Sequence, residues 1–386
     1  MPHAAFDFET VLDRRVVPGE KWDRYAGRDV LPMWVADMDF AAPPCVVEAL
    51  QQRLDHRVFG YTDAWPSLKN AIVDAMARDY AWAVDPSWII FLPGMVAGFN
   101  VACRLAGDVG DGVITAAPVY PPMLAAASHH DRSLQRVDLV PGADGAYGWD
   151  LDALAAVATG RSRLFLLCNP HNPVGRVYTR GELEALADFA EARDLLICSD
   201  EIHCGLVLEP HARHLPIATL GPEVARRTIT LMAPSKTWNI PGLYCAFAII
   251  PAPELRSRYR RAMRGIVPHV NIFGMVAAEA AYRDGEPWRL ALIDILRGHR
   301  DRVLACLGAF PELTVVSPEA TYLAWIDCRR MMATRGIDDP VGFFEAAGVG
   351  LSDGRPFGAP GFVRLNFGCP RSTLEEGLAR IARALA

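Results

Sequence analysis

Lysine is nearly missing from this chain. Among 386 residues only Lys21, Lys69 and Lys236 occur, and the formal net charge is -6 at pH 7. Nucleic acid is therefore not expected as a partner, since phosphate binding needs clustered positive charge. One arginine-rich stretch, residues 256–264, fits a solvated helix face or a contact with a neighbouring subunit. No Cys-x-x-Cys pair occurs, and the nine cysteines are scattered and odd in number. That pattern argues against a disulfide framework and for buried, reduced thiols, which fits the cytoplasm. No apolar run approaches the roughly 20 residues needed to span a bilayer. The first nine residues are neither basic nor continuously apolar, so no signal peptide is expected.

What the chain does have is bulk and alternation. Hydrophobic residues make up 51% of it, and its length suggests two domains with a core that needs no staples. Residues 1–45 are expected to form an arm without helical period, 46–286 a large domain and 287–386 a small one. Within the large domain, Val113–Thr115, Leu164–Cys168, Leu195–Cys198 and Thr228–Leu231 read as strands, and Gly181–Ala190 as a helix between two of them. Strands alternating with helices predict crossover units and a largely parallel α/β sheet. Further on, Trp288–Leu307 reads as a long helix. Val315, Thr321–Ile326 and Phe362–Asn366 read as strands of a smaller α+β unit. Thr373–Ala386 reads as a last helix capped by Ser372.

Polar motifs follow three of the strands, where an open α/β sheet binds its ligands. They are Asn169-Pro-His-Asn-Pro-Val-Gly175, Ser199-Asp-Glu-Ile-His203 and Ala233-Pro-Ser-Lys-Thr-Trp-Asn239. A lysine, an aspartate and an asparagine so placed are the parts needed to hold pyridoxal phosphate. Lys236 would form the Schiff base, and Ser235 could bind the phosphate. Asp200 would keep the pyridine nitrogen protonated, with Glu201 as its rival on the opposite side of the strand. At ~4 Å and an effective dielectric of ~20 that attraction is about 4 kcal/mol, or roughly three pKa units. Asn172 would bond the ring oxygen, and His203 could reach the same oxygen or a substrate.

Gly94, Met95 and Val96 open a helix after Ile89-Ile90 and could donate backbone N–H groups to the phosphate. Tyr120 could stack on the ring, and Arg364 could grip a substrate carboxylate with two prongs. Each signal alone has an ordinary structural explanation: a cap, a turn, a core side chain or a surface ion pair. Other chemistries fail on spacing. His129-His130 and His211-Ala-Arg-His214 lack zinc-like partners, so no metal is expected. Gly107–Gly112 does not match the dinucleotide pattern, and no Gly-x-Ser-x-Gly elbow occurs.

Together these motifs, followed by Arg364-Leu-Asn366, resemble the class I/II aminotransferase superfamily of fold-type I pyridoxal-phosphate enzymes. A narrower resemblance, to the MalY/PatB-type cystathionine β-lyases, rests on Met33–Phe40, Phe59–Thr62, Asp200–Cys204 and Leu365–Ser372. The likeness implies a mostly parallel seven-stranded sheet in the large domain. It assigns Lys236, Asp200, Asn172 and Tyr120 the roles given above. It has Arg364, helped by backbone near Val35 and Ala36, bind the substrate carboxylate. It also implies a homodimer in which Tyr61 reaches the phosphate in the other subunit. The implied reaction is α,β-elimination from cystathionine or another cysteine S-conjugate. Met95-Val-Ala97, Tyr244, Trp238, Pro241 and Arg297–Arg300 depart from the usual pattern. They leave the substrate open, with a specialised biosynthetic one among the choices. The same residues would also serve an aminotransferase, or a decarboxylating or oxidative enzyme of natural-product metabolism, which stand as alternatives. A regulator built on the same fold is the non-enzymatic alternative.

Overall fold

The structure is a computed structural model that describes residues 6–142 and 145–386. The first five residues of the expected arm lie outside the described residues. A seven-stranded sheet forms the centre, in the order Ile89–Leu92, Ala246–Ile249, Thr228–Met232, Leu196–Asp200, Ser162–Cys168, Gly112–Ala117 and Ser133–Asp138. All neighbours are parallel except Ala246–Ile249, which runs against both of its neighbours. Gly112–Ala117 and Thr228–Met232 are buried along their whole length. A parallel strand covered by helices on both faces requires such unbroken apolar character.

Local chemistry sets the crossover elements. The helix Arg180–Ala192 opens with a capping box in which Thr179 and Glu182 satisfy each other's backbone N–H. After Ile89–Leu92 the chain turns through Pro93 and Gly94 into the helix Met95–Leu105. Gly98 lets that helix lie close on the sheet, because a Cβ there would sit 2.9 Å from a methyl of Leu231. The Tyr259 hydroxyl then reaches the Gly98 carbonyl at 2.9 Å.

A second, antiparallel sheet has the order Thr314–Val315, Leu323–Asp327, Phe362–Asn366, Ser352–Asp353. The N-terminal segment pairs Leu31–Pro32 in parallel with Val349–Gly350, a separate two-stranded sheet just ahead of Ser352–Asp353. Phe8 packs at 5.2 Å from Phe40 and 5.3 Å from Trp288. No helix of the described residues is long and apolar enough to cross a membrane.

Several boundaries differ from expectation for local reasons. Ser372 is no cap: the last helix runs Arg371–Leu385 behind Pro370, with Ser372 in its first turn. Pro287 stands inside the helix Glu286–Leu307, whose first turn tolerates its missing N–H. Thr321 and Tyr322 precede the strand Leu323–Asp327, since Thr321 takes the left-handed region with φ 75°. Leu195 also falls just before its strand.

Replacing Gly98 by valine is expected to force the helix off Leu231. A urea melt should show a loss of about 2 kcal/mol, typical of overpacking.

Candidate active site

A cavity of about 430 Å³ opens where the parallel strands end. Lys236, Asp200, Asn172, His203, Tyr120, Ser235, Met95, Val96, Val35, Ala36 and Arg364 all line it, together with Gly94. Tyr61 does not: it lies outside the cavity and is fully exposed.

Lys236 enters from the loop after Thr228–Met232. Its Nζ donates a 2.6 Å hydrogen bond to the Ala36 carbonyl, so strand loop and N-terminal segment meet at the amine. Burial pulls the ammonium down to about 8, against the pull of Asp37 and Asp200. Arg364 adds to that lowering, and the two carboxylates do not outweigh the lost hydration.

Asp200 is the last residue of its strand and is 4% exposed. Its Oδ1 accepts the Ile202 N–H at 3.1 Å. Burial raises the carboxyl to about 7. A nearby opposite charge would restore its ionised form. Glu201 turns away from the cavity, accepting from Ser199 Oγ at 2.8 Å and contacting His214 Nε2 at 2.7 Å. Strand alternation thus separates the two carboxylates. His203 is buried, its Nδ1 has no hydrogen-bond partner, and burial lowers it to about 3, so the ring is neutral.

Arg364 comes from the second sheet and is 5% exposed. Nη1 donates to Asn172 Oδ1 at 2.9 Å, and Nη2 donates to the Trp34 carbonyl at 3.0 Å and Ser352 Oγ at 3.3 Å. Nε has no partner. The guanidinium stacks 4.8 Å from the Phe357 ring centroid. All recorded partners are neutral, and burial lowers the group to about 10. A buried cation held only by neutral acceptors keeps its charge available to an anion.

At the other end of the cavity, the helix Met95–Leu105 begins with no side-chain cap. Its first N–H groups therefore remain available to an anion. Ser235 and Tyr244 line the same cavity, and Tyr244 is 66% exposed. Tyr120 is half-buried, and burial, then Asp200, pushes its phenol upward.

Sequence reasoning missed the residues that hold the N-terminal segment in place. Asn366 Nδ2 donates to the Val35 and Asp37 carbonyls, each at 2.7 Å. Asn239 accepts from Met38 N at 2.9 Å and donates to the Phe40 carbonyl at 2.8 Å. Tyr322 donates to the Ala36 carbonyl at 2.9 Å. Asn239 and Asn366 stand inside the quoted motifs, and only their long-range partners were invisible.

The donor set fits pyridoxal phosphate: an amine, a buried acid in want of a cation, an unpartnered imidazole and an uncapped helix. Capture of the cofactor aldehyde needs the neutral amine. Its rate on stripped protein is expected to rise with pH and level off above about 8. An ordinary lysine would keep gaining beyond pH ~10. Stopped-flow absorbance across that range checks this.

The profile of the aminotransferase class I and II family matches residues 28–381. Cystathionine beta-lyase PatB of Bacillus subtilis is 36% identical, over 98% of this chain and 100% of that protein. The crystal structure of OvoB superposes with a TM-score of 0.95 at 46% identity, covering 99% of both chains. Cystalysin from Treponema denticola, which contains pyridoxal 5'-phosphate, gives 0.92 at 31% identity over 98% of both. The chain therefore belongs to the aminotransferase class I and II family, is similar along nearly its whole length to the cystathionine β-lyases within it, and is a pyridoxal-phosphate-dependent enzyme.

Proposed function

We propose that the chain is a C–S β-lyase that cleaves cystathionine or another cysteine S-conjugate to a thiol, pyruvate and ammonia. The observation that carries this reading is the convergence of Lys236, Asp200 and a carboxylate-free Arg364 on one cavity. The relatives named cystathionine β-lyase support the choice of bond.

Bound pyridoxal phosphate supplies an electron sink conjugated to the substrate's Cα. Arg364 takes the α-carboxylate in a two-pronged grip, and Trp34 and Asn172 hold the guanidinium in place. Lys236 Nζ, already inclined to be neutral at about 8, accepts the Cα proton. Asp200 would be held ionised by a protonated ring nitrogen and would in turn keep it protonated. Asn172 Nδ2 and His203 would serve the ring oxygen, and Tyr120 would cover the ring face. Ser235 and the N–H groups at Met95 and Val96 would hold the phosphate. The sulfur leaves the β-carbon as thiolate, and water converts the remaining enamine to pyruvate and ammonia.

The active unit is a homodimer, with Tyr61 of each subunit reaching the other's phosphate site. Exposure of Tyr61, Phe59 and Val58 supports it, since isolated chains seldom leave such a run in water. The large region 46–286 and the small region 287–386 act as two domains, with residues 6–45 of the arm packed beside the site.

The purified enzyme should release thiol, pyruvate and ammonia from cystathionine or an S-alkyl cysteine without an added keto acid. Turnover that requires an amino-group acceptor would overturn the lyase reading and establish transamination. Arg364→Met is expected to raise KM by roughly 100-fold or more, as loss of a charged hydrogen-bonded partner of 3 kcal/mol implies. Steady-state kinetics on the same substrate measure it.

A further inference from the structure

Lys21 is one of three lysines in the chain, and it is 2% exposed. Its Nζ donates to Asp39 Oδ2 at 2.7 Å and to the Asp37 carbonyl at 2.9 Å. Asp39 is 6% exposed and also accepts from Arg14 Nη1 at 2.7 Å and Trp22 Nε1 at 3.1 Å. Arg14 Nη2 bonds Asp37 Oδ2 at 2.7 Å. Two cations and two carboxylates thus close a neutral cluster, none of which touches the cavity. Burying charge in this way is a poor route to stability, so a positional role is the better account.

The segment beside the cluster has a regular arrangement. The Trp34 and Ala36 carbonyls accept from Arg364 and Lys236. The intervening Val35 carbonyl and the next, Asp37, accept from Asn366. Alternate carbonyls of one short segment therefore set both functional cations, and Asp37 and Asp39 fasten its far end.

We propose that the buried Lys21–Asp39 pair, with Arg14, is a positioning device that holds residues 34–37 so that their carbonyls orient Lys236 and Arg364. The inference rests on the roles proposed above for those two residues. The charged groups acting on Lys236 are Asp37, Arg364 and Asp200, so the device also fixes one of the two carboxylates that act on it.

The test separates position from charge. Lys21→Met and Asp39→Asn change the cluster's charge in opposite directions. Both should weaken binding of L-alanine to holoenzyme by roughly ten-fold or more, as a small misplacement of a binding group does. Absorbance titration of the bound cofactor reads this without turnover, so failure of the lyase reading leaves it intact. Both variants should also speed hydrogen exchange at the Asp37, Met38 and Asp39 amides, which are bonded in the native segment. Unchanged exchange, or effects on binding of opposite sign, would overturn the proposal and leave an electrostatic role. Should either buried variant fail to fold, Arg14→Gln, at a side chain 25% exposed, decides by the same two readouts.

Discussion

The cost of removing charge from water governs this site. Lys236, Asp200 and Arg364 are each moved toward neutrality by burial, to about 8, 7 and 10. None has an ion-pair partner of its own among the described residues. Charged ligand atoms would complete such groups. In the function proposed above, the cofactor's pyridine nitrogen and a substrate carboxylate are the atoms that would do so.

The sheet explains how these groups meet. Three adjacent parallel strands end in register, so loops after Cys168, Asp200 and Met232 open on one edge. Asp200 needs no loop, because alternation along its strand alone separates it from Glu201. Lys236 needs the loop that follows Thr228–Met232. Arg364 comes from the second sheet, nearly 130 residues later in the chain. The N-terminal segment is the joint between these parts: its carbonyls touch the amine from one sheet and the guanidinium from the other.

Rigidity in that joint is built from backbone acceptors rather than from packing alone. Asn366 uses its amide to clamp the Val35 and Asp37 carbonyls and Asn239 those of Met38 and Phe40, and Tyr322 shares the Ala36 carbonyl with Lys236. Buried hydrogen-bond networks favour a single geometry, because an alternative strands polar groups. That property would suit the proposed role of Lys236 as proton acceptor.

The sequence by itself determined the sheet and which motifs line the cavity at its edge. Unbroken apolar strands demand burial on both faces, and short motifs at strand ends declare their chemistry through local spacing. Lys236, Asp200 and Asn172 were legible for that reason, and Arg364 from its short motif. Other matters were left to the tertiary structure. Lys21 looked like any isolated lysine, and only the folded arm shows it buried against Asp39. Tyr322 gave no signal, since its value lies in an oxygen contributed by a residue 286 positions away. The Ser372 cap failed because Pro370 already ends the preceding extended segment. Contacts between distant residues depend on how the elements pack, and no local pattern encodes that.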